Sequence, residues 1–400
     1  MVRAAQTTED LRRSNLSAVL RQVHFSGPIS RTDLTARLGL NRSTIGALTS
    51  ELADAGLVTE QAQAGGGRTG RPSLLVRPES GRVHALAVAV GVDRITAARV
   101  GLGGVVLDRR DTGTSREEFS LDSVVGTVRT FAESLRQAAP SDAVNIGTGV
   151  AFCGIVRGDD GEVCFGPNIG WDAEPLGRAL ADSLAEVYGR HRPVSVGNDA
   201  DLGALAEHAR GAATGCDDVI YLHGDVGIGA GIIAGGTLLS GTDGFAGEIG
   251  HMAVRLEGGK LCGCGARGCW ETEIGEYALL KAAGREGVGR EAVEAVVLAA
   301  RLGDTDAQQA LLRVGDWLGF GVANLVNIFN PQMIIMGGML RGVYLGAATH
   351  VRGRLRTSTL ATHRESVRLR TPVLEDDAPL IGAAELAFAR LLADPLEAGR

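Results

Sequence analysis

A chain of 400 residues with 44% hydrophobic residues, only 4% aromatics and 58 glycines can bury two or three cores of Ala, Val and Leu joined by many tight turns. That composition points to packed cores rather than disorder. The formal charge of −7 hides an asymmetry: residues 1–80 hold ten Arg against seven acidic residues, net +3, whereas the remainder holds 30 basic and 40 acidic residues, net −10. A slightly basic head on an acidic body fits a nucleic-acid-binding module joined to a domain that does not bind nucleic acid. The polar start, Met1 to Asp10, and the lack of any apolar run near the roughly 18 residues a span requires predict a cytoplasmic protein without a membrane segment.

Apolar residues recur at helical spacing from Thr8 to Val23, behind Thr7 or Thr8 as a cap, which predicts a first helix. Ser30 caps a short helix over Arg31 to Leu38, Gly39 turns the chain, and Asn41 caps a third helix from about Arg42 to Ala55 with Ile45, Leu48 and Leu52 inward. Two short helices joined by a glycine turn form either a helix-turn-helix or one corner of an ordinary three-helix bundle. In the first case Arg42, Ser43 and Thr44 meet bases and phosphates in the major groove, with Thr49 a turn further along. A strand from Gly56, the loop Gly65 to Pro72 and a returning strand at Leu74 to Val76 follow. Arg68 and Arg71 in that loop either enter a narrow minor groove from a wing or sit on a solvated linker.

From Val83 the organisation changes and appears twice. Ala85 to Val92 leads to Gly103-Gly104 and Val105 to Leu107; Asp218 to His223 leads to Gly235-Gly236 and Thr237 to Leu239. Helical stretches follow each copy, Leu121 to Ala138 and Glu291 to Phe329, so the spacing predicts a duplicated α/β unit. Between the copies, Asn168 lies in Gly166 to Trp171, and Asn198-Asp199 stands after a β-branched strand, where open α/β sheets bind ligands. The same pair could simply cap the next helix.

Gly247-Glu-Ile-Gly-His251 and Leu261 to Glu271 gather His251, Cys262, Cys264 and Cys269 within nineteen residues, flanked by Glu248 and Glu271. Three thiols and an imidazole match a closed tetrahedral Zn²⁺ site, structural because no position is left for substrate; glycines at 263, 265 and 268 let the thiolates converge. His251 could instead be a loop histidine with its own partners. With six cysteines in 400 residues and a polar start, a disulfide framework is the weaker reading.

This stretch resembles the zinc signature of the ROK family (repressors, open reading frames and sugar kinases), Gly-Glu-x-Gly-His followed by Cys-x-Cys-Gly-x-x-Gly-Cys-x-Glu, position for position. The N-terminal arrangement is similar to the repressors of that family, which carry a winged helix that the kinases lack. The resemblance implies that Asn168, Asn198, Asp199, Glu248, His251 and Glu271 contact a sugar, and that Asp199 stands where the kinases keep their general base. It also implies Asp-x-Gly-Gly-Thr-Lys and Gly-Thr-Gly-x-Gly phosphate loops. Ala89 to Arg94 and Asp225 to Gly229 depart from both: Ala89 replaces the metal-side Asp, Val92 a cradle glycine, Asp93 and Val226 the threonines, and Asp225 adds negative charge.

The expected fold class is therefore α/β. Residues 1–80 form a winged helix-turn-helix, and 81–400 a duplicated actin-like, hexokinase-like (ribonuclease H-like) domain with lobes of approximately 81–200 and 201–400. The expected function is a transcriptional regulator, a repressor of carbohydrate metabolism that binds operator DNA and a sugar or sugar-phosphate effector, with Asp199 a vestigial base. The alternative is an ATP-dependent sugar kinase that also carries a DNA-binding domain. Operator symmetry and the resemblance favour a homodimer or dimer of dimers.

Overall fold

The computed structural model describes residues 7–62, 73–114, 119–364 and 366–396. Helix α1 (Thr8–Ser26) begins at a capping box: Asp10 N–H donates to Thr7 Oγ1 at 3.1 Å and Thr7 N–H donates back to Asp10 Oδ2 at 3.0 Å. Strand β1 (Ile29–Ser30) runs into α2 (Arg31–Leu38), capped by Ser30 and ended by Gly39 at φ 66°. Asn41 caps α3 (Arg42–Asp54) through Thr44 N–H at 2.8 Å. Each cap satisfies an otherwise orphaned N–H and stabilises its helix by about 1 kcal/mol. Leu34, Ile45, Leu48 and Leu52 turn inward against α1, as their spacing requires. Strands β2 (Val58–Ala62) and β3 (Leu74–Pro78) pair antiparallel, and β1 adds to the far side of β3. The result is a winged-helix arrangement. Two-residue β1 was too short for any periodicity to reveal it.

The first lobe contains β4 (Val83–Val90), β5 (Arg94–Gly101), β6 (Val105–Gly113), α4 (Leu121–Ala138), β7 (Val144–Phe152), a small sheet of β8 (Ile155–Val156), β9 (Val163–Gly166) and β10 (Trp171–Glu174), then α5 (Leu176–Tyr188), β11 (Val194–Asn198) and α6 (Asp199–Arg210). The second contains β12 (Val219–Gly224), β13 (Ile228–Ala234), β14 (Thr237–Leu238), α7 (Glu271–Ile274), α8 (Glu276–Ala282), α9 (Gly289–Arg301), α10 (Thr305–Phe329), β15 (Met333–Gly338), α11 (Met339–Ser358), α12 (Ala361–Arg364), β16 (Arg368–Arg370) and α13 (Ala378–Ala393). Their main sheets run β11-β7-β4-β5-β6 and β14-β13-β12-β15-β16. In each, the first strand pairs antiparallel with the second and parallel with the fourth, so the repeat is one of topology as well as sequence. The two hairpin turns match too: Gly103, Gly104, Gly235 and Gly236 all take positive φ, which only glycine adopts without strain. The long helical stretch after the second copy divides at Gly303, φ 99°, and Asp304 caps α10.

Helices α6 and α13 each follow the fifth strand of a sheet, and each crosses to the other lobe. A Cβ on Gly231 of β13 would stand 2.5 Å from Ala200 O, and one on Gly149 of β7 would stand 1.8 Å from Ala383 O. Glycines thus seat α6 on the second sheet and α13 on the first, and Gly382 brings the two helices together against Leu202 O. A linear division at residue 200 does not describe this exchange, because α13, though it lies in the second segment, closes the core of the first. One apolar cluster joins α1, α3, β4, β5 and α13, so the winged module is packed on the body rather than strung from it. Among the described residues, no helix is long and apolar enough to cross a membrane.

Candidate functional site

Two cavities lie between the lobes, of about 350 and 380 Å³, and Asp199, His223 and Asp225 line both. The first also receives Asn168, Asn198, Glu248, His251 and Glu271, so the residues singled out by resemblance converge on one space large enough for a monosaccharide. Asn168 stands in the β9–β10 turn of the first lobe. Glu271 opens α7 of the second. The bare Gly227 lets them approach, since a Cβ there would meet Glu271 Oε2 at 3.0 Å and Asn168 Nδ2 at 3.4 Å.

Asn198 also does what the plainer reading expected: its Oδ1 accepts from Ala200 and Asp201 N–H at 2.9 and 3.1 Å, capping α6, and its Nδ2 donates to Gly154 O at 3.0 Å. That leaves one amide N–H for a ligand. Asp199 Oδ1 is held by Ala200 N–H at 2.7 Å, and Oδ2 lies 4.0 Å from His223 Nε2. Burial raises the Asp199 carboxyl above its ordinary range, and His223 partly offsets the rise. Burial likewise raises Glu248, against the pull of His251.

Sequence reasoning missed His223 and Asp201. His223 is the penultimate residue of β12, at the carboxyl end where such sheets bind ligands, and Tyr221 OH lies 3.3 Å from its Nδ1. Asp201 is two residues beyond Asp199 and is lifted to about 7 by burial and by the charges of Asp199 and Glu248. The end-of-strand rule could have found His223; nothing local marks Asp201.

Donor atoms of His251, Cys262, Cys264 and Cys269 all lie within 4.8 Å of one another. Cys264 Sγ is 3.7 Å from Cys269 Sγ, and Cys262 Sγ is 3.6 Å from His251 Nδ1. Those are the edges of a tetrahedron about an ion with bonds of roughly 2.0–2.3 Å, so the residues fit a metal of the zinc type. His251 Nε2 faces Glu248 at 3.8 Å, and Nδ1 lies 3.8 Å from Glu271 Oε1, which also accepts the Cys262 thiol at 2.7 Å. Gly265 and Gly268 take positive φ as expected of a tight ligand loop, but Gly263 does not and has open space around it, so no steric need holds glycine there. Fully buried Trp270 anchors the loop, its Nε1 donating to Trp317 O at 2.9 Å.

The altered phosphate loops are shared between the cavities: Ala89, Gly91, Asp93 and Arg94 line the second, Val92, Val226 and Gly227 the first, and Asp225 both. Val92 is buried, and Val226 of the opposite lobe packs against the same apolar cluster. Asp225 is pushed up to about 6 by burial, against His223, with Asp93 and Asp199 adding to the rise.

On the winged module, Arg42 and Ser43 are exposed on the first turn of α3 and Thr44 is half-buried. Ser43 Oγ donates to Asn41 Oδ1 at 2.7 Å. Thr49 cannot reach out: it is fully buried and its hydroxyl bonds Gly46 O at 3.2 Å. Arg68 and Arg71 lie outside the described residues.

A winged helix fused to two lobes of one topology, with a His/Cys cluster beside an interlobe cleft, defines a regulator-like branch of a sugar-kinase fold. The chain belongs to the ROK family, whose model matches residues 85–390. It is 31% identical to the xylose repressor of Bacillus subtilis (strain 168) over 387 residues, covering 96% of this chain and 97% of that one. Among solved structures, a ROK family transcriptional regulator, a homologue of the Escherichia coli MLC protein, superposes with a TM-score of 0.78 at 26% identity over 97% of this chain and 99% of the other. A ROK family glucokinase from Streptomyces griseus, in complex with glucose and AMPPNP, matches 76% of this chain and 99% of its own with a TM-score of 0.65 at 28% identity.

Proposed function

We propose that this protein is a sugar-responsive transcriptional repressor of carbohydrate metabolism that binds operator DNA through α3 and its wing and holds a sugar in the cleft at Asp199. The observation that carries the reading is that the winged module and the cleft belong to one continuously packed body, in a chain alike over nearly its whole length to a xylose repressor. Arg42 would pair with a base edge, and Ser43 and Thr44 would contact phosphate or base edges; Arg68 and Arg71 would add minor-groove affinity. Sugar hydroxyls would bond Asn168, Asn198 and Asp199 from one side and Glu248, His251 and Glu271 from the other. A homodimer would present two winged helices to a pseudo-palindromic operator.

Zn²⁺, held by His251, Cys262, Cys264 and Cys269, would supply fixed geometry and no chemistry. With Cys262 bound as thiolate, its proton would no longer tie up Glu271 Oε1, and the far nitrogen of His251 would stay available to a sugar hydroxyl beside Glu248. Both carboxylates are thereby aimed at the cleft.

Sugar phosphorylation is the second reading, favoured by the retained Asp199 between two cavities and by the likeness to a glucokinase. Phosphoryl transfer needs a backbone cradle and a metal carboxylate. Ala89, Val92, Val226 and Asp225 remove the carboxylate, fill the cradle with methyl groups and place an acid beside the phosphates, so the repressor reading is preferred.

The test uses duplex DNA selected by the full-length protein from a random-sequence pool, titrated with and without D-xylose, D-glucose or N-acetyl-D-glucosamine. Glu248→Gln and Asp199→Asn should abolish the sugar effect on DNA affinity and leave the sugar-free affinity intact. An unchanged response in both variants would place the effector elsewhere.

A further inference from the structure

Helix α6 has the cleft at one end and a buried arginine at the other. Its first residue is Asp199 and its last is Arg210. Twelve residues at about 1.5 Å each make a rod of about 18 Å. Close glycine contacts at Gly231 and Gly382 press it between β13 and α13, so it has no room to bend or slide independently of them.

Arg210 is 12% exposed, and Nε and Nη1 of its fork are engaged by acceptors from three other elements. Nε donates to Glu385 Oε1 of α13 at 2.6 Å, and Nη1 donates to His24 O at 3.0 Å and to Gly103 O at 2.9 Å. Completely buried His24, near the end of α1, accepts Gly103 N–H on Nδ1 at 2.9 Å, and its Nε2 lies 2.8 Å from Glu385 Oε2 and 2.6 Å from Arg210 Nη2. Gly104, at φ 80°, completes the joint, since a Cβ there would stand 2.5 Å from Arg210 Nε. The end of α1, the β5–β6 turn, α6 and α13 thus meet on one guanidinium. From there α1 continues to α3: the two share a core, and Arg12 donates to Glu51 Oε2 at 2.8 Å.

We infer that α6 is the rod that couples the sugar cleft to the DNA-binding module, with Arg210 the positioning residue that holds α1 at its far end. This rests on the sensor reading of the cleft. A hydroxyl bound at Asp199 acts on the start of a helix without slack, and the displacement emerges where Arg210 grips the backbone of His24. Coupling then needs only that sugar favour one setting of this joint over the other. The planar fork matters: a lysine ammonium keeps the charge but cannot reach Glu385, His24 O and Gly103 O in the same geometry.

The experiment measures sugar binding by calorimetry and DNA affinity by anisotropy on the full-length protein, with the selected duplex and the same three sugars. In the wild type, sugar should change DNA affinity by about 5–150-fold, the usual span of coupling between two sites. Arg210→Met should bind sugar and sugar-free DNA within about twofold of wild type while its sugar response shrinks to less than about twofold, and Arg210→Lys should retain only part of the response. A full response in Arg210→Met overturns the inference and leaves the sensor reading standing; failure of every sugar to bind the wild type sinks both. Should Arg210→Met not fold, hydrogen exchange of the wild type decides: sugar-induced change that runs from 199–210 into 20–27 supports the rod, and change confined to the cleft overturns it.

Discussion

Asp201 shares the start of α6 with Asp199, and its carboxyl is displaced from the ordinary range as well. Burial, then Asp199 and Glu248, lift it to about 7. Its unfolded value lies near 4. The folded chain therefore keeps a proton that the unfolded chain releases, so stability falls as pH rises from about 4 to about 7 and levels off above that. Asp201→Asn has the same shape and cannot ionise. The two proteins should melt closest together at about pH 4 and below, and the variant should melt higher by about 2 °C or more at pH 8, read by differential scanning fluorimetry. A melting difference that does not depend on pH would mean that Asp201 is already ionised near pH 5. The cleft residues Asn168, Asn198, Asp199, Glu248, His251 and Glu271 were legible because they sit in motifs. Asp201 was not, because its shift comes first from burial, which only the tertiary packing sets, and then from Asp199 and the distant Glu248.

At the scale of elements, the metal loop and the helices of the winged module were read almost to the residue. Capping and thiol spacing are decided by neighbours a few positions away, and such signals survive in a linear text. Thr49 shows the limit: its place on α3 depends on which helical face α1 covers, and it proved to be inside. The loop from His251 to Glu271 should carry one zinc ion per chain, measured by elemental analysis of freshly purified protein. Chelation or Cys264→Ser should remove the ion, lower the melting temperature and weaken sugar binding, because Glu248 and Glu271 lose their support. Full zinc retention in Cys264→Ser would exclude this ligand set.

For the whole molecule, the second cavity is lined by paired charges, while Val92 and Val226 line the first. Residues 375–377, an acidic 3₁₀ turn ahead of α13, are held by Arg341 Nη2 on Glu375 Oε1 at 2.9 Å, by Arg290 on Asp376, and by Arg109 Nη1 on Asp377 Oδ1 at 2.7 Å. Arg109 comes from the first lobe and the other two from the second. Exposed pairs of this kind stabilise little, about 0–1 kcal/mol each. They occupy three guanidiniums that line the second cavity. Mixed with Mg²⁺-ATP and each of the three sugars, the protein should release ADP no faster than a protein-free control. Sugar phosphate whose formation is lost in Asp199→Asn would promote the kinase reading.

The sequence by itself determined what short-range physics controls: the capped helices, the glycine-turned hairpins and their repetition, and the clustering of His251, Cys262, Cys264 and Cys269; the departures at Ala89, Val92, Asp225 and Val226 were legible through the family resemblance. Only the tertiary structure decided that α6 and α13 exchange lobes, that His223 lies beside Asp199, and that Arg210 joins His24 and Glu385 across separations of 186 and 175 residues. Contacts of that range leave no period or spacing in the chain. They arise because two amphipathic helices must bury their apolar faces between two sheets, and the buried guanidinium that results must find its acceptors wherever the packing brings them.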